Sequence, residues 1–370
     1  MHLVVNTHGA VIRRTGERFV ISVEDRKIHV SAHKVQSLVI TTGVLISSGA
    51  LQLASEHSVD VILLDRFGDP VGRFWQTHIG HTARIRRRQL EVSQDAEGLA
   101  IVLEWAQAKV RHQIEFLEEL WQRRAEADAL FAEPVHTLRS CLAAVGQLTG
   151  DLAGQRGTLM GLEGVAGRAY FGCLGRLMPD PFRFEGRSRQ PARDPFNAML
   201  NYAYGVLYSL VEKACLRAGL DPCIGFLHTD QYHRVSLVYD MVEPFRIIAD
   251  RTTVLLFTGR RVRQEYFDRV KGGYALNKEG RALLLSHLHA RLDKTVRYPV
   301  QGQPHKTRRI KQRDVIQYEA YALSNRLLGR QDTPRIGSTE HLWSESAANG
   351  DRTGSPDADT PASGQDPPSA

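Results

Sequence analysis

The chain has 370 residues, 42% hydrophobic and 24% charged, the make-up of an ordinary water-soluble protein with room for two cores. Its net charge is +7, and residues 331–370 lower that total, holding two basic residues (Arg335, Arg352) against seven acids. The body is therefore more basic than the whole, which favours a polyanionic partner such as nucleic acid and argues against an acidic, solvating chain.

Residues 1–80 are rich in β-branched residues with alternation and closely spaced turn signals. Strands are predicted at His2–Asn6, Ala10–Arg14, Arg18–Val23, Lys27–Ser31, Ser37–Thr41, Val59–Asp65 and Val71–Phe74, with one helix over Ser48–Glu56. Their hairpin-like spacing predicts a small β-rich domain rather than a doubly wound parallel sheet. The charge-free stretch Ser37–Ser55 is interrupted by Thr-Thr-Gly and Ser-Ser-Gly, so it reads as strand, turn and short helix and not as a membrane span. With no signal-peptide pattern either, a cytoplasmic protein without a membrane partner is expected.

After the basic patch Arg84, Arg86, Arg87 and Arg88, helical periods take over. Leu103, Ala106, Val110, Ile114, Leu117 and Trp121 make one apolar stripe. Residues 81–330 therefore read as a larger all-α domain, with loops near Pro179–Pro195 and Tyr298–Pro304. The fold class is α+β. Residues 331–370, rich in Ser, Gly, Pro, Asp and Ala, predict a disordered acidic tail. Cys141, Cys173, Cys215 and Cys223 form no C-x-x-C pair, and a buried structural thiol is expected at Cys223. No P-loop or G-x-G-x-x-G stands in the chain, so no nucleotide cofactor is indicated.

Four stretches carry candidate chemistry. In Gly161-Leu-Glu163-Gly-Val-Ala-Gly167-Arg-Ala-Tyr170, the acid Glu163 shares a helix face with small residues that would let another backbone approach. Arg187 and Arg189 stand in a basic, Pro-punctuated loop. It leads into a helix with Asp194 as N-cap and Pro195 at the first helical position. On that helix Asn197, Asn201 and Tyr204 form a polar stripe, suited to a ligand phosphate or a metal-bound water, or equally to a closed internal network. Next, His228 ends an apolar run and is followed by Asp240 and Glu243, three residues apart and on one face of any helix there. Imidazole and carboxylates beside an apolar wall are the ingredients of a divalent-metal site, although a surface His with two solvated acids has the same spacing. Finally, Arg291–Arg313 holds eight Lys or Arg, Arg308 and Arg309 among them, against one acid, Asp293. Such clusters contact phosphates without reading sequence.

Taken together, Gly161–Phe171, Asp194–Tyr204, Gly225–His228 continuing to Ser236–Arg246, and Gly272–Arg281 resemble the CRISPR-associated integrase and endonuclease family of spacer acquisition, the Cas-one family. The resemblance covers residues 1–330 and includes the β-then-α order. It implies a β-sheet N-terminal domain that mediates homodimerisation and a helical catalytic domain using Mg²⁺ or Mn²⁺. It maps the metal ligands onto Glu163, His228 and Glu243, with Asp240 as a further acid of the site. It also implies double-stranded or branched DNA as substrate and a small dimeric CRISPR-associated partner (Cas-two). The expected chemistry is attack of a DNA 3′-hydroxyl on a phosphodiester, or hydrolysis when water attacks. The competing readings are a non-catalytic nucleic-acid-binding protein and a metal phosphodiesterase acting on small substrates.

Overall fold

The computed structural model describes residues 2–24, 26–35, 37–57, 59–64, 70–74, 82–124, 128–228, 235–300 and 303–330. The expected acidic tail and the loop 229–234 lie outside the described residues. The chain divides into two compact units, Met1–Gly80 and His81–Ala370, each with its own hydrophobic core.

In the first unit β1 (His2–Val5), β2 (Val11–Thr15), β3 (Arg18–Val23), β4 (Arg26–Ser31), β5 (Ser37–Ile40) and β6 (Leu45–Ile46) precede helix α1 (Ser48–Glu56), and β7 (Asp60–Leu64) and β8 (Pro70–Phe74) follow it. They form two four-stranded sheets, ordered β1-β5-β7-β8 and β4-β3-β2-β6. The expected hairpin arrangement holds for β2, β3 and β4, which pair antiparallel. It does not hold for β1, β5 and β7, which run parallel to one another. Period-two alternation says which face a strand buries but nothing about its direction. Here the β2–β4 meander spans the crossover from β1 to β5, and α1 lies between β5 and β7. Ile12, Phe19, Ile21, Leu38, Ile40, Leu53 and Val61 fill the core. Ser47 caps α1 by accepting the Ala50 N–H on its hydroxyl at 3.2 Å.

The second unit is built on α2 (Thr82–Val92), α3 (Ala96–Gln122), α4 (Asp128–Gly146), α5 (Leu152–Leu177), α6 (Pro195–Arg217), α7 (Ser236–Met241), a 3₁₀ turn (Glu243–Phe245) and α8 (Arg246–Thr258). The stripe Ala106, Val110, Ile114 and Leu117 of α3 is buried as its period requires. The expected caps form. Asp194 accepts the Asn197 N–H at 2.7 Å at the start of α6, with Pro195 in its first turn. Among the described residues no helix is long and apolar enough to cross a membrane.

Two hairpins stand where only helices and loops were expected: β9 (Phe267–Val270) with β10 (Gly273–Leu276), and β11 (Thr295–Val300) with β12 (Gln303–Lys311). Helix α9 (Lys278–Leu292) lies between them and α10 (Gln312–Leu327) follows. Gly273 is dictated by contact, because a Cβ there would lie 2.1 Å from the Ala192 carbonyl oxygen. That close approach lets the Tyr274 N–H donate to Ala192 at 2.9 Å and ties the first hairpin to the loop before α6. In the second hairpin Tyr298 is fully buried and donates to Glu319 of α10 at 2.7 Å. Its basic residues, including Arg308 and Arg309, therefore sit on a sheet anchored to a helix, not on a loop.

Candidate active site

Asp240 organises the first half of the site. Its carboxylate is 2% exposed. Oδ2 accepts the backbone N–H groups of Phe226 (2.6 Å) and Leu227 (3.0 Å), and Oδ1 accepts that of His228 (3.0 Å). The His228 ring meets Oδ1 through Nδ1 at 2.5 Å. Both oxygens are thus spent on holding one loop and one imidazole, and Asp240 raises the pKa of His228 above its ordinary value. Gly225 allows the loop to fold this tightly, since a Cβ there would sit 2.6 Å from the Ser236 side chain and 2.7 Å from the His228 carbonyl. Arg156 of α5 locks the other side, donating to the carbonyls of Phe226 (3.0 Å) and Leu227 (3.1 Å).

Glu243 opens the 3₁₀ turn after α7 and is 7% exposed. Arg246 grips its Oε1 with Nε and Nη2, both at 3.0 Å. Its buried Oε2 lies 2.6 Å from Lys109 Nζ on α3. Burial opposes the charge on Glu243, yet Arg246 and Lys109 hold its carboxyl down to about 2. Lys109 also donates to Glu163 Oε1 of α5 at 3.1 Å. The ammonium therefore bridges two carboxylates brought together from distant parts of the chain. The charges of Glu243 and Glu163 also act on His228 in the same direction as Asp240, which places the imidazole in their field.

The glycines around Glu163 work differently from expectation. A Cβ at Gly161 or Gly167 would meet nothing within 4 Å among the described residues, so the small residues leave space beside the acid instead of admitting another backbone. From behind, His112 of α3 supports the turn through a 3.0 Å contact between Nδ1 and the Pro244 carbonyl. Its burial pushes the imidazole down to about 3, so it is neutral and donates from Nδ1.

The polar stripe of α6 is engaged in an internal network. Asn197 is fully buried; its oxygen accepts from Arg187 and the Ser188 N–H, and its amide donates to Gly186 (2.9 Å) and Asp194 (2.7 Å). Asn201 accepts from Arg187 at 2.8 Å and donates to the Ser188 and Arg189 carbonyls. Tyr204, 4% exposed, donates to buried Asp250 at 2.6 Å, and the Arg187 and Arg246 guanidiniums lie over its ring at 5.3 and 4.6 Å. These side chains shape the loop and carry it against α6, which ties Asn197, Asn201, Tyr204 and Arg187 into the internal network that the sequence left open as the alternative. Arg189, Arg308 and Arg309 remain exposed. Cys223 is also exposed rather than buried, because its turn rides at the surface while Gln89 of α2 holds the flanking carbonyls of Asp221 and Ile224.

Two carboxylates and an imidazole form a donor set that suits a small divalent cation. One observation fits that group: a side-chain cation is already lodged between the acids. Lys109, Arg156 and Arg246 were not singled out by the sequence. Lys109 carries no local signal, being one lysine on a helix, and only Arg246, three residues after Glu243, had a spacing that betrays its partner.

The model of the CRISPR-associated protein Cas1 family matches residues 3–290. The chain belongs to the Cas1 family. It is 34% identical over 305 residues to a CRISPR-associated endonuclease Cas1 of Rhodospirillum rubrum, covering 80% of this chain and 87% of that one. It is 32% identical over 311 residues to one of Archaeoglobus fulgidus, covering 80% and 90%. Its fold matches a casposase bound to integration product, with a TM-score of 0.76 at 22% identity over 95% of this chain and 98% of that one. A Cas1 protein from Thermotoga maritima matches with a TM-score of 0.71 at 23% identity over 90% and 99%. The Cas1 family match spans Glu163, His228, Asp240 and Glu243 and stops before the Arg308–Arg309 strand.

Proposed function

We propose that this Cas1-family chain inserts short DNA fragments as new spacers into a CRISPR array, using a divalent cation, Mg²⁺ or Mn²⁺, held by Glu163, His228 and Glu243. The observation that carries the reading is the lysine bridge: a buried cation spans Glu163 and Glu243 at 3.1 and 2.6 Å. When bound, the metal neutralises charge growing on the phosphoryl oxygens and favours ionisation of the attacking 3′-hydroxyl.

The protein's own groups do the positioning. With its proton on Nδ1 and facing Asp240, His228 presents the Nε2 lone pair, and Asp240 fixes that tautomer and ring orientation without touching the reacting atoms. Arg246 sets the Glu243 rotamer, and Arg156 and Gly225 set the loop that carries His228. The space beside Glu163 admits the phosphodiester. Exposed Arg189, Arg308 and Arg309 contact phosphates of double-stranded or branched DNA and fix its path without reading bases. The N-terminal unit mediates a homodimer. A small dimeric Cas2-type protein completes the assembly, a reading supported by the likeness in fold to a solved Cas6-RT-Cas1–Cas2 complex (TM-score 0.69, 20% identity, 91% of this chain and 36% of that one). The work is done in the cytoplasm.

A half-site integration assay with a short duplex bearing 3′-hydroxyl ends tests this. Strand transfer is expected in Mn²⁺, to vanish with EDTA, and to be lost in Glu163→Ala, His228→Ala and Glu243→Ala while DNA binding persists. Full strand transfer in any of the three variants overturns the ligand assignment.

A further inference from the structure

A second imidazole–carboxylate cluster lies in the N-terminal unit, on three separate elements. Glu17 lies in the β2–β3 turn, His33 sits in the single 3₁₀ turn Ala32–Lys34 between β4 and β5, and His57 caps the C-terminal end of α1. One ligand atom from each lies within 4.8 Å of the other two. His57 Nε2 is in short contact with Glu17 Oε2, and the His33 ring meets the His57 ring edge-on, with centroids 4.4 Å apart.

The backbone beneath is fixed. The Ala32 N–H donates to the Glu17 carbonyl at 3.0 Å and the His57 N–H to Leu53 at 3.1 Å, while Ala32, Leu53 and Ala54 are core residues. Glu17 is oriented from its other oxygen, since Arg14 reaches Oε1 at 3.3 Å while also pairing with Glu56 at 2.9 Å. That leaves Oε2 turned toward the imidazoles. A hydrogen bond between Glu17 and His57 accounts for two of these side chains. It gives no reason for a second imidazole to close on the same point.

We propose that Glu17, His33 and His57 bind a borderline divalent transition-metal ion, of which Zn²⁺ is the type. Two imidazole nitrogens and one carboxylate oxygen match such ions, whereas Mg²⁺ and Ca²⁺ favour shells in which oxygen predominates. With three protein ligands the fourth position faces solvent, because Glu17 and His33 are exposed. Ligation requires His57 Nε2 to present its lone pair, so the hydrogen between it and Glu17 is given up. The ion then staples a hairpin turn of one sheet to a crossover and a helix end that lead into the other. This site is separate from the cation site of the second unit and serves stability rather than phosphoryl chemistry.

The test uses untagged, full-length protein stripped with EDTA and titrated with Co²⁺, followed by its visible d–d bands, and with Zn²⁺, followed by Tm. His228→Ala serves as background so that the cation site of the second unit contributes no imidazole. In that background Co²⁺ bands appear and Zn²⁺ raises Tm. Adding His33→Ala or Glu17→Gln weakens Co²⁺ binding about tenfold or more and removes the Zn²⁺ shift, while circular dichroism stays unchanged because both positions are on the surface. Absence of Co²⁺ bands in the His228→Ala protein, or equal affinity with and without His33, overturns the proposal.

Discussion

Among the described residues, imidazole and carboxylates come together around Glu163, His228 and Glu243 and around Glu17, His33 and His57, and the two clusters balance their charge differently. Around Glu163, His228 and Glu243 the acids are walled off: the Glu243 side chain is 8% exposed and the Glu163 side chain 16%. There the protein supplies its own cations, Lys109 and Arg246, because a buried carboxylate without a partner is costly. Around Glu17, His33 and His57 the Glu17 side chain is 56% exposed, and its pair with Arg14 is exposed to water, where an ion pair is worth little. The acids of the buried cluster are therefore held by the protein's own cations, while Glu17 at the surface is held more weakly. A third acid, Asp250, completes the series, being buried and served by the hydroxyls of Tyr204 and Tyr170 in place of a direct ion pair.

The largest effect follows from removing the bridging cation. Lys109→Met leaves Glu163 and Glu243 facing one another with a shared partner gone, and breaking a buried ion pair costs on the order of 3 kcal/mol. In EDTA the variant should unfold at markedly lower urea than the wild type. Mn²⁺ should stabilise the variant more than the wild type, since the ion there meets no competing ammonium. Equal stability in EDTA would place Lys109 outside the charge balance and dissolve the contrast between the clusters.

Asp250 gives the next effect, and it isolates burial from ion pairing. Burial pushes its carboxyl up to about 6, against the hydrogen bonds of Tyr204 and the fields of Arg246 and Arg187. Below the ordinary value of 3.8 folded and unfolded chains both hold this proton. Between there and about 6 only the folded chain does, so this group's contribution falls as pH rises through the window and stays low above it. Two pKa units correspond to about 3 kcal/mol. Asp250→Asn should therefore gain on the wild type by up to that amount between pH 4 and pH 7 in urea unfolding. Glu243, held at about 2 by real cations, has the opposite sign: its contribution is full above pH 4.5 and is lost as pH falls toward 2. A pH-independent difference between Asp250→Asn and wild type would show that tyrosine hydroxyls compensate as well as cations do.

The same physics sets what was legible in the sequence. Glu163, His228, Asp240 and Glu243 stand in short motifs whose order carries the family, and Asp194–Pro195 announces its helix through local capping. Lys109 and Arg156 were illegible because their partners lie 54 and about 70 residues away, and nothing local marks a helical Lys or Arg that turns inward. The stripe Asn197, Asn201, Tyr204 was visible as a pattern, but polar spacing on a helix looks the same whether it meets a ligand or Arg187. Strand direction in the first unit was hidden for a similar reason, since pairing partners come from tertiary packing and not from alternation. The cluster Glu17, His33, His57 has no sequence signature at all, its members being joined only by the fold.

The smallest effect tests the surface half of the comparison. Glu17→Gln keeps the side chain's shape and removes its charge at an exposed position, where an ion pair is worth little. In EDTA the variant's Tm should be indistinguishable from that of the wild type. Saturating Zn²⁺ should separate them, because ligation stabilises only the folded chain that holds all three residues in place, in proportion to the logarithm of free ion over Kd. A large loss already in EDTA would mean that the Arg14–Glu17–His57 contacts stiffen the unit without a metal. The two clusters would then differ in exposure alone and not in what balances their charge.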